Sequence, residues 1–292
     1  MYPSRFRYEA PRSLDELLDL LSQLGDEAKV LAGGQSLVPM MKLRFAAPEV
    51  VVDINGVPGI DHLKEEADGS LHVGALCRHV TLERSDLLAA RHPLMAATAP
   101  LIADPMVRNR GTMVGSICHS DPQGDWASVL LALGGHVVAL GPNGPRDIPA
   151  ADFSTGPFQN ALRPDEVAVE VVVPAPVGER FGTYLKLERR VGDFATAGVA
   201  ISVEESGGRV VRAGIALTGV GASNIPATEA AEALVGSPLS TASIEEAARL
   251  AAAAARPKAD HRGSVEYKRH VVATFVRRGL ARRQTESGGR AA

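Results

Sequence analysis

The sequence predicts an α+β chain in two domains, and three observations lead there. A capped amphipathic helix near the start runs into short strands; proline and glycine punctuate the chain at Pro174-Ala-Pro-Val-Gly178; beyond that point three strand-like runs precede three helical ones. Strands and helices gathered in separate blocks are the pattern of an α+β domain. The chain has 292 residues, enough for more than one core.

Ser13-Leu-Asp-Glu16 has the spacing of a capping box and opens the first helix. Leu14, Leu17, Leu18, Leu21 and Leu24 follow on one face, which predicts a stripe lying on a sheet, and Gly25 is a natural stop. Val30 and Leu31 then read as a short strand entering Ala32-Gly-Gly-Gln-Ser36, a glycine turn that is either a plain turn or a ligand loop. Neither a GxGxxG fingerprint nor a GxxxxGK loop accompanies it.

Val50 to Ile54 and His72 to Ala75 are apolar strands, and 81–103 is helical with a break at Pro93. Asp125 to Leu133 is a short helix with Trp126, Val129, Leu130 and Leu133 inward, so Asp125 stands where a carboxylate favours the helix dipole. A β-rich stretch then runs to Val173. The later strands are Thr183 to Glu188, Gly198 to Glu204 and Arg209 to Leu217, the last two joined by Ser206-Gly-Gly208. Helices are predicted over 228–235, from a second box Ser243-Ile-Glu-Glu246 through the alanines, and over 264–283. The domains are therefore 1–177, in lobes of about 1–56 and 57–177, and 178–283, with 284–292 as a disordered tail.

Lys and Arg number 31 against 34 Asp and Glu, a net charge of -3, which gives no general attraction to nucleic acid or anionic membranes. No apolar run approaches a signal peptide or a membrane span, so the expectation is a cytoplasmic protein. Cys77 and Cys118 are too few for a disulfide framework or an all-cysteine iron–sulfur cluster. Any such cluster must sit on another chain.

The most informative stretch is Asn109-Arg-Gly-Thr-Met-Val-Gly-Ser-Ile-Cys-His-Ser-Asp-Pro-Gln-Gly-Asp125. Gly111 and Gly115 let backbone approach a ligand, and the hydroxyls of Thr112, Ser116 and Ser120 with nearby N–H groups offer donors to an anion. Asp121 and Asp125 cannot face the same phosphate, so a ligand with both a charged and a polyhydroxylated part fits best: a dinucleotide. His119, Asp121 and Asp125 as metal ligands is the weaker alternative, since no HxxxH or cysteine pair completes a site. Cys118 reads as a small buried residue, Gly219-Val-Gly221 as a strand-end bulge, and Arg189-Arg190 with Asp193 as a surface ion pair or a docking feature.

Ala32 to Arg44, Arg108 to Ser116 with Asp121-Pro-Gln-Gly-Asp125, Lys186-Leu-Glu-Arg-Arg-Val-Gly-Asp-Phe-Ala195 and Gly263 to Tyr267 together resemble the FAD-binding medium subunit of molybdenum hydroxylases, the group of carbon monoxide and xanthine dehydrogenases. The resemblance covers nearly the whole chain. It implies a two-lobed FAD-binding domain of the vanillyl-alcohol-oxidase (PCMH) type and a smaller α+β domain with a three-stranded antiparallel sheet and three helices. It further implies that Val30, Leu31, Ala32, Gly33, Gly34, Gln35, Ser36 and Leu37, with Thr112, Met113, Val114, Gly115 and Ser116, cradle the FAD pyrophosphate. Asp125 would hydrogen-bond the ribityl chain, with Lys186 and Phe194 near the flavin ring. Val114 departs from the family pattern, standing where a second glycine is common; FAD binding survives if that position needs no positive φ.

By the same resemblance, the partners are a large molybdenum-cofactor subunit and a small [2Fe-2S] subunit, with a dimer of heterotrimers as one assembly it allows, and electrons leave to an external acceptor. No catalytic residue and no metal ligand is assigned to this chain. A self-contained FAD-dependent oxidoreductase and, behind it, a non-enzymatic scaffold subunit are the competing readings.

Overall fold

The computed structural model describes residues 2–289, with side chains described through Gln284. Its strands form three main sheets. Arg7–Glu9, Val50–Asp53 and Ala28–Leu31 make a parallel three-stranded sheet with Val50–Asp53 in the centre. The helix Leu14–Leu24 buries Leu17 and Leu21 in the same core as Val50 and Val52, as its leucine stripe predicts. Ser13 accepts from the Glu16 amide at 3.1 Å, but the Glu16 carboxylate takes the Arg12 amide at 2.6 Å, not that of Ser13. The cap is thus displaced by one residue on its return side.

A five-stranded antiparallel sheet follows, in the order Leu63–Glu65, Leu71–Gly74, Val167–Val173, His136–Gly141, Gly144–Pro149. Helices of four to nine residues fill its connections, among them His79–Glu83, Pro93–Thr98, Met113–His119 and Asp125–Leu133. The third sheet holds Glu179–Leu187, Ala197–Ser206 and Arg209–Thr218. Ile225–Pro226 adds a fourth strand to the predicted three, too short to leave a periodic signal in sequence.

Ala197–Ser206 is covered on both faces. Val199, Ile201 and Val203 meet the helices Thr241–Ala254 and Val265–Gly289, while Ala200 joins the core of the first domain. On that side the helix Asp125–Leu133 lies directly on Arg209–Thr218; a Cβ on Gly214 would stand 1.9 Å from the Ala132 carbonyl oxygen. Only glycine admits so close an approach. One sheet therefore serves two cores.

Two helix ends differ from the sequence expectation, and a third helix, which the sequence reading did not name, ends in a left-handed turn. Thr241–Ala254 is capped by Ser240, whose box partner is Ser243, so the helix begins before the predicted Ser243 box. The last helix continues through Gly289, beyond the predicted end at Arg283 and into the segment expected to be a disordered tail; residues 290–292 lie outside the described residues. The helix Leu37–Lys42 ends with Arg44 N–H on Met41 O and Phe45 N–H on Met40 O, which turns Arg44 to φ 62°. Glycine favours this termination, and a side chain there costs about 1–2 kcal/mol.

A buried ionic hub ties the Pro174-to-Gly178 segment to the third sheet. Glu204 receives Arg180, Arg212 and the Val177 amide, while Arg180 and Arg212 also bond the carbonyls of Pro174 and Ala175. Breaking such a buried pair strands the remaining charges. Glu204→Ala is expected to lower unfolding stability by about 3–5 kcal/mol, read as a shift of the denaturant midpoint; an unchanged midpoint would show that the hub is dispensable.

Candidate functional site

A cavity of about 720 Å³ lies where the three sheets converge. That is within the roughly 300–1,000 Å³ of cofactor and small-molecule sites. The first sheet contributes Val30, Leu31 and the turn Ala32-Gly33-Gly34-Gln35-Ser36 with Leu37; the second region contributes Thr112, Val114, Gly115, Ser116 and Asp125; the third sheet contributes Lys186 and, just past it, Phe194. Of the predicted site residues, Met113 alone is absent from the wall: its side chain is wholly buried in the core.

The two glycine segments pack against each other. A Cβ on Gly33 would meet the Arg110 carbonyl oxygen at 2.5 Å and the Gly111 Cα at 2.7 Å, and a Cβ on Gly111 would meet the His79 ring at 2.8 Å. Under them, Trp126 Nε1–H donates to His79 Nδ1 at 3.2 Å, with the two rings stacked at 6.1 Å. An acceptor Nδ1 requires neutral His79, and burial, helped by Arg108 and Arg78, holds its pKa down at about 4.

Arg78 and Asn55, neither of which the sequence singled out, fasten the segments. Arg78 donates to the Arg110 carbonyl and to the Asn55 side-chain oxygen, and Asn55 Nδ2 donates to the Ala32 carbonyl at 2.8 Å. Both carbonyls are thereby engaged and are not offered to an anion. No local motif marks these residues, since their contacts span 23 and 32 positions.

The second glycine segment is a helix start, not an open loop. Thr112 caps Met113–His119 and its hydroxyl accepts from the Gly115 amide at 3.1 Å. Val114 is a helical residue with no positive φ, so glycine is not required there on conformational grounds. Ser36 opens its helix without a side-chain capping bond, leaving the hydroxyl unspent on the helix.

At the floor, Asp125 receives Tyr184 Oη–H at 2.6 Å and Lys186 Nζ–H at 3.0 Å. Lys186 also donates to the Leu101 carbonyl at 3.2 Å and lies 3.4 Å from Glu188. Burial raises the Asp125 pKa against the pull of Lys186 and Tyr184, and burial followed by Asp125 raises that of Tyr184. Two of the roughly four acceptor positions on a carboxylate are filled, so Asp125 retains capacity for a ligand hydroxyl. Tyr184 went unnoticed in the sequence because its strand pattern demands only an apolar residue there.

His119 and Asp121 do not join Asp125 in a cluster; among the described residues no group of three or more His, Cys, Asp and Glu could hold a metal ion. Arg189 and Asp193 form an exposed pair at 3.9 Å. Among the described residues, no helix is long and apolar enough to cross a membrane.

Two predictions follow from this geometry. Gly33→Ala should force the segments apart and weaken cofactor retention roughly tenfold or more, measured as flavin content after dialysis; full flavin content would show the packing to be tolerant. His79 has a folded-state pKa below its unfolded value near 6.5, so the stability it contributes is complete above about 6.5 and is lost as pH falls towards about 4. The span corresponds to about 3 kcal/mol, and His79→Gln should flatten the stability–pH profile by one proton across that window; a superimposable profile would remove His79 as its source.

The comparisons with known proteins agree with the site. Residues 4–176 match the profile described as FAD binding domain in molybdopterin dehydrogenase, and residues 182–282 match the CO dehydrogenase flavoprotein C-terminal domain. The chain is 42% identical over 280 residues to the carbon monoxide dehydrogenase medium chain of Hydrogenophaga pseudoflava, covering 96% of this chain and 97% of that one. It is 37% identical to the 6-hydroxypseudooxynicotine dehydrogenase complex subunit alpha of Paenarthrobacter nicotinovorans, covering 97% and 95%. A solved structure of the Hydrogenophaga pseudoflava carbon monoxide dehydrogenase that lacks the Mo-pyranopterin moiety superimposes with a TM-score of 0.92 at 44% identity, covering 96% and 98%. With the glycine segments, cavity and both domains in place, the chain belongs to the FAD-binding medium subunits of the carbon monoxide and xanthine dehydrogenase type of molybdenum hydroxylase, a family of oxidoreductase subunits.

Proposed function

We propose that this chain is the electron-transfer subunit of its complex, passing electrons from iron–sulfur clusters on a small partner through FAD to an external acceptor, while a large partner carries the molybdenum cofactor. FAD suits that junction because it exchanges electrons singly or in pairs. The observation that carries the reading is the cysteine inventory: Cys77 and Cys118 are this chain's only two, and burial pushes both thiols up to about 12. Thiolates for a cluster must come from elsewhere. We place the complex in the cytoplasm, in keeping with two unpaired cysteines.

In this reading the segments Val30 to Leu37 and Thr112 to Ser116 hold the pyrophosphate through amides and hydroxyls, each charge-assisted bond contributing about 1.5–3 kcal/mol. Asp125 accepts a ribityl hydroxyl, and Lys186 and Phe194 border the flavin ring. The division at 177/178 separates the two-lobed cofactor domain from the domain that closes the cavity floor with Tyr184 and Lys186. Relatives named for carbon monoxide and for 6-hydroxypseudooxynicotine resemble this chain to a similar degree, at 42% and 37% identity, which supports substrate choice on another subunit.

The test is anaerobic substrate addition to the complex purified through a tag on this chain. Substrate is expected to bleach the flavin bands in the complex and to leave them unchanged in the FAD-loaded chain freed of its partners. Rapid bleaching of the solitary chain by a small substrate or by NAD(P)H would replace this reading with a self-contained oxidoreductase.

A further inference from the structure

Lys186 faces two carboxylates but is hydrogen-bonded to only one of them. Its Nζ–H groups donate to Asp125 Oδ2 at 3.0 Å and to the Leu101 carbonyl at 3.2 Å. Glu188 Oε2 stands 3.4 Å from the same nitrogen, and that oxygen is buried and accepts no hydrogen bond. Among the described residues one other buried side-chain atom is left in this state, Arg262 Nη1. Glu188 is held towards Lys186 by charge alone.

Strand geometry puts it there. Lys186 lies in Glu179–Leu187 and Glu188 follows that strand directly, so the two share a face while Leu187, between them, packs into the core of the second domain. The segment that Glu188 opens then brings Gly192, Asp193 and Phe194 to the cavity wall. The other ion pair of that segment, Arg189 with Asp193, is open to solvent and therefore screened, whereas the Glu188 side chain is only 18% exposed.

The charge count around Lys186 is uneven. Asp125 accepts on both oxygens, from Tyr184 on Oδ1 and from Lys186 on Oδ2, as an ionised carboxylate does. Tyr184 is held neutral, its pKa raised first by burial and then by Asp125, and adds no charge. Asp125 and Lys186 thus cancel, and Glu188 leaves one negative charge in excess. A half-satisfied buried charge costs stability, and such costs concentrate where a site makes use of them.

We propose that Glu188 is a positioning residue that sets the electrostatic environment of the flavin ring: it offsets the Lys186 ammonium, so that electrons added to the ring meet a net negative site and are held less tightly. The inference rests on the placement of Lys186 beside the ring proposed above. Charge close to the ring is one of the means by which a protein tunes a flavin.

The test is a redox titration of the intact complex against a reference dye, with the flavin bands followed in difference spectra against complex stripped of FAD. Glu188→Gln removes the charge and keeps the shape; it is expected to keep FAD stoichiometric and to raise the ratio of reduced to oxidised flavin roughly tenfold at a fixed solution potential. Glu188→Asp keeps the charge and is expected to hold the wild-type ratio. An unchanged ratio in Glu188→Gln would overturn the proposal, as would an equal shift in Glu188→Asp, which would point to packing, or loss of FAD from Glu188→Gln, which would assign Glu188 to holding the cofactor. Lys186→Gln separates this inference from the reading beneath it, since removal of the cation is expected to lower the same ratio. A shift in Lys186→Gln alone would overturn the role of Glu188 and leave Lys186 at the ring; no shift in Lys186→Gln would remove that placement, and this inference with it.

Discussion

The buried pair between Asp125 and Lys186 is the constraint on which the two domains depend. Desolvating a carboxylate and an ammonium is expensive, and the interior repays that only when their other bonding positions are met. Asp125 has Tyr184, and Lys186 has the Leu101 carbonyl. The polar chain continues from Tyr184 to Thr218, then to Ser128, which Asn224 also bonds while holding the Gly124 carbonyl. Asp125, Ser128 and Gly124 come from one domain, and Tyr184, Lys186, Thr218 and Asn224 from the other. The cavity floor is therefore an interdomain product, and the position of Asp125 at the start of its helix is fixed from outside that helix.

The opposite wall is held by exclusion of side chains and not by charge. Gly33 sits on Arg110 and Gly111, Gly111 on His79, and His79 on Trp126, each layer with no room for a further methyl group or, for His79, for a second ring proton. Arg78 and Asn55 occupy the carbonyls beside these glycines. What remains available to an anionic ligand is dominated by N–H and O–H groups. On the reading proposed above, such a cradle would meet phosphate chiefly through these groups, by the same logic as other glycine-rich nests.

These two walls differ in how readily the sequence disclosed them. The glycines, the serine and threonine hydroxyls and the capped start at Asp125 follow local rules, so Gly33, Gly34, Thr112, Gly115, Ser116 and Asp125 were legible and all line the cavity. Tyr184, Arg78, Asn55 and His79 act across separations that no local pattern records, 59 positions in the case of Tyr184 and Asp125. Val114 shows the reverse problem: the chain looked like a loop that wanted glycine, yet it is the first turn of a helix where valine is conformationally ordinary. Ser243 looked like a cap because Glu246 follows it, but Ser240 wins because Ser243 itself returns the second bond. The short strand Ile225–Pro226 has no periodicity to read at all.

The bonds around Asp125 and Lys186 bear on what the cavity can do. On the electron-transfer reading proposed above, the cofactor needs a fixed place and a constant electrostatic setting, and no acid or base that moves during turnover. Locking Asp125 and Lys186 to each other serves that end, because a carboxylate tied to an ammonium and a phenol is poorly placed to shuttle protons. The helix Leu37–Lys42 leads away from this site: its N-terminal end, at Ser36 and Leu37, belongs to the cavity, and its C-terminal end is followed by the exposed, left-handed Arg44. One short helix spans from the cofactor wall to the surface.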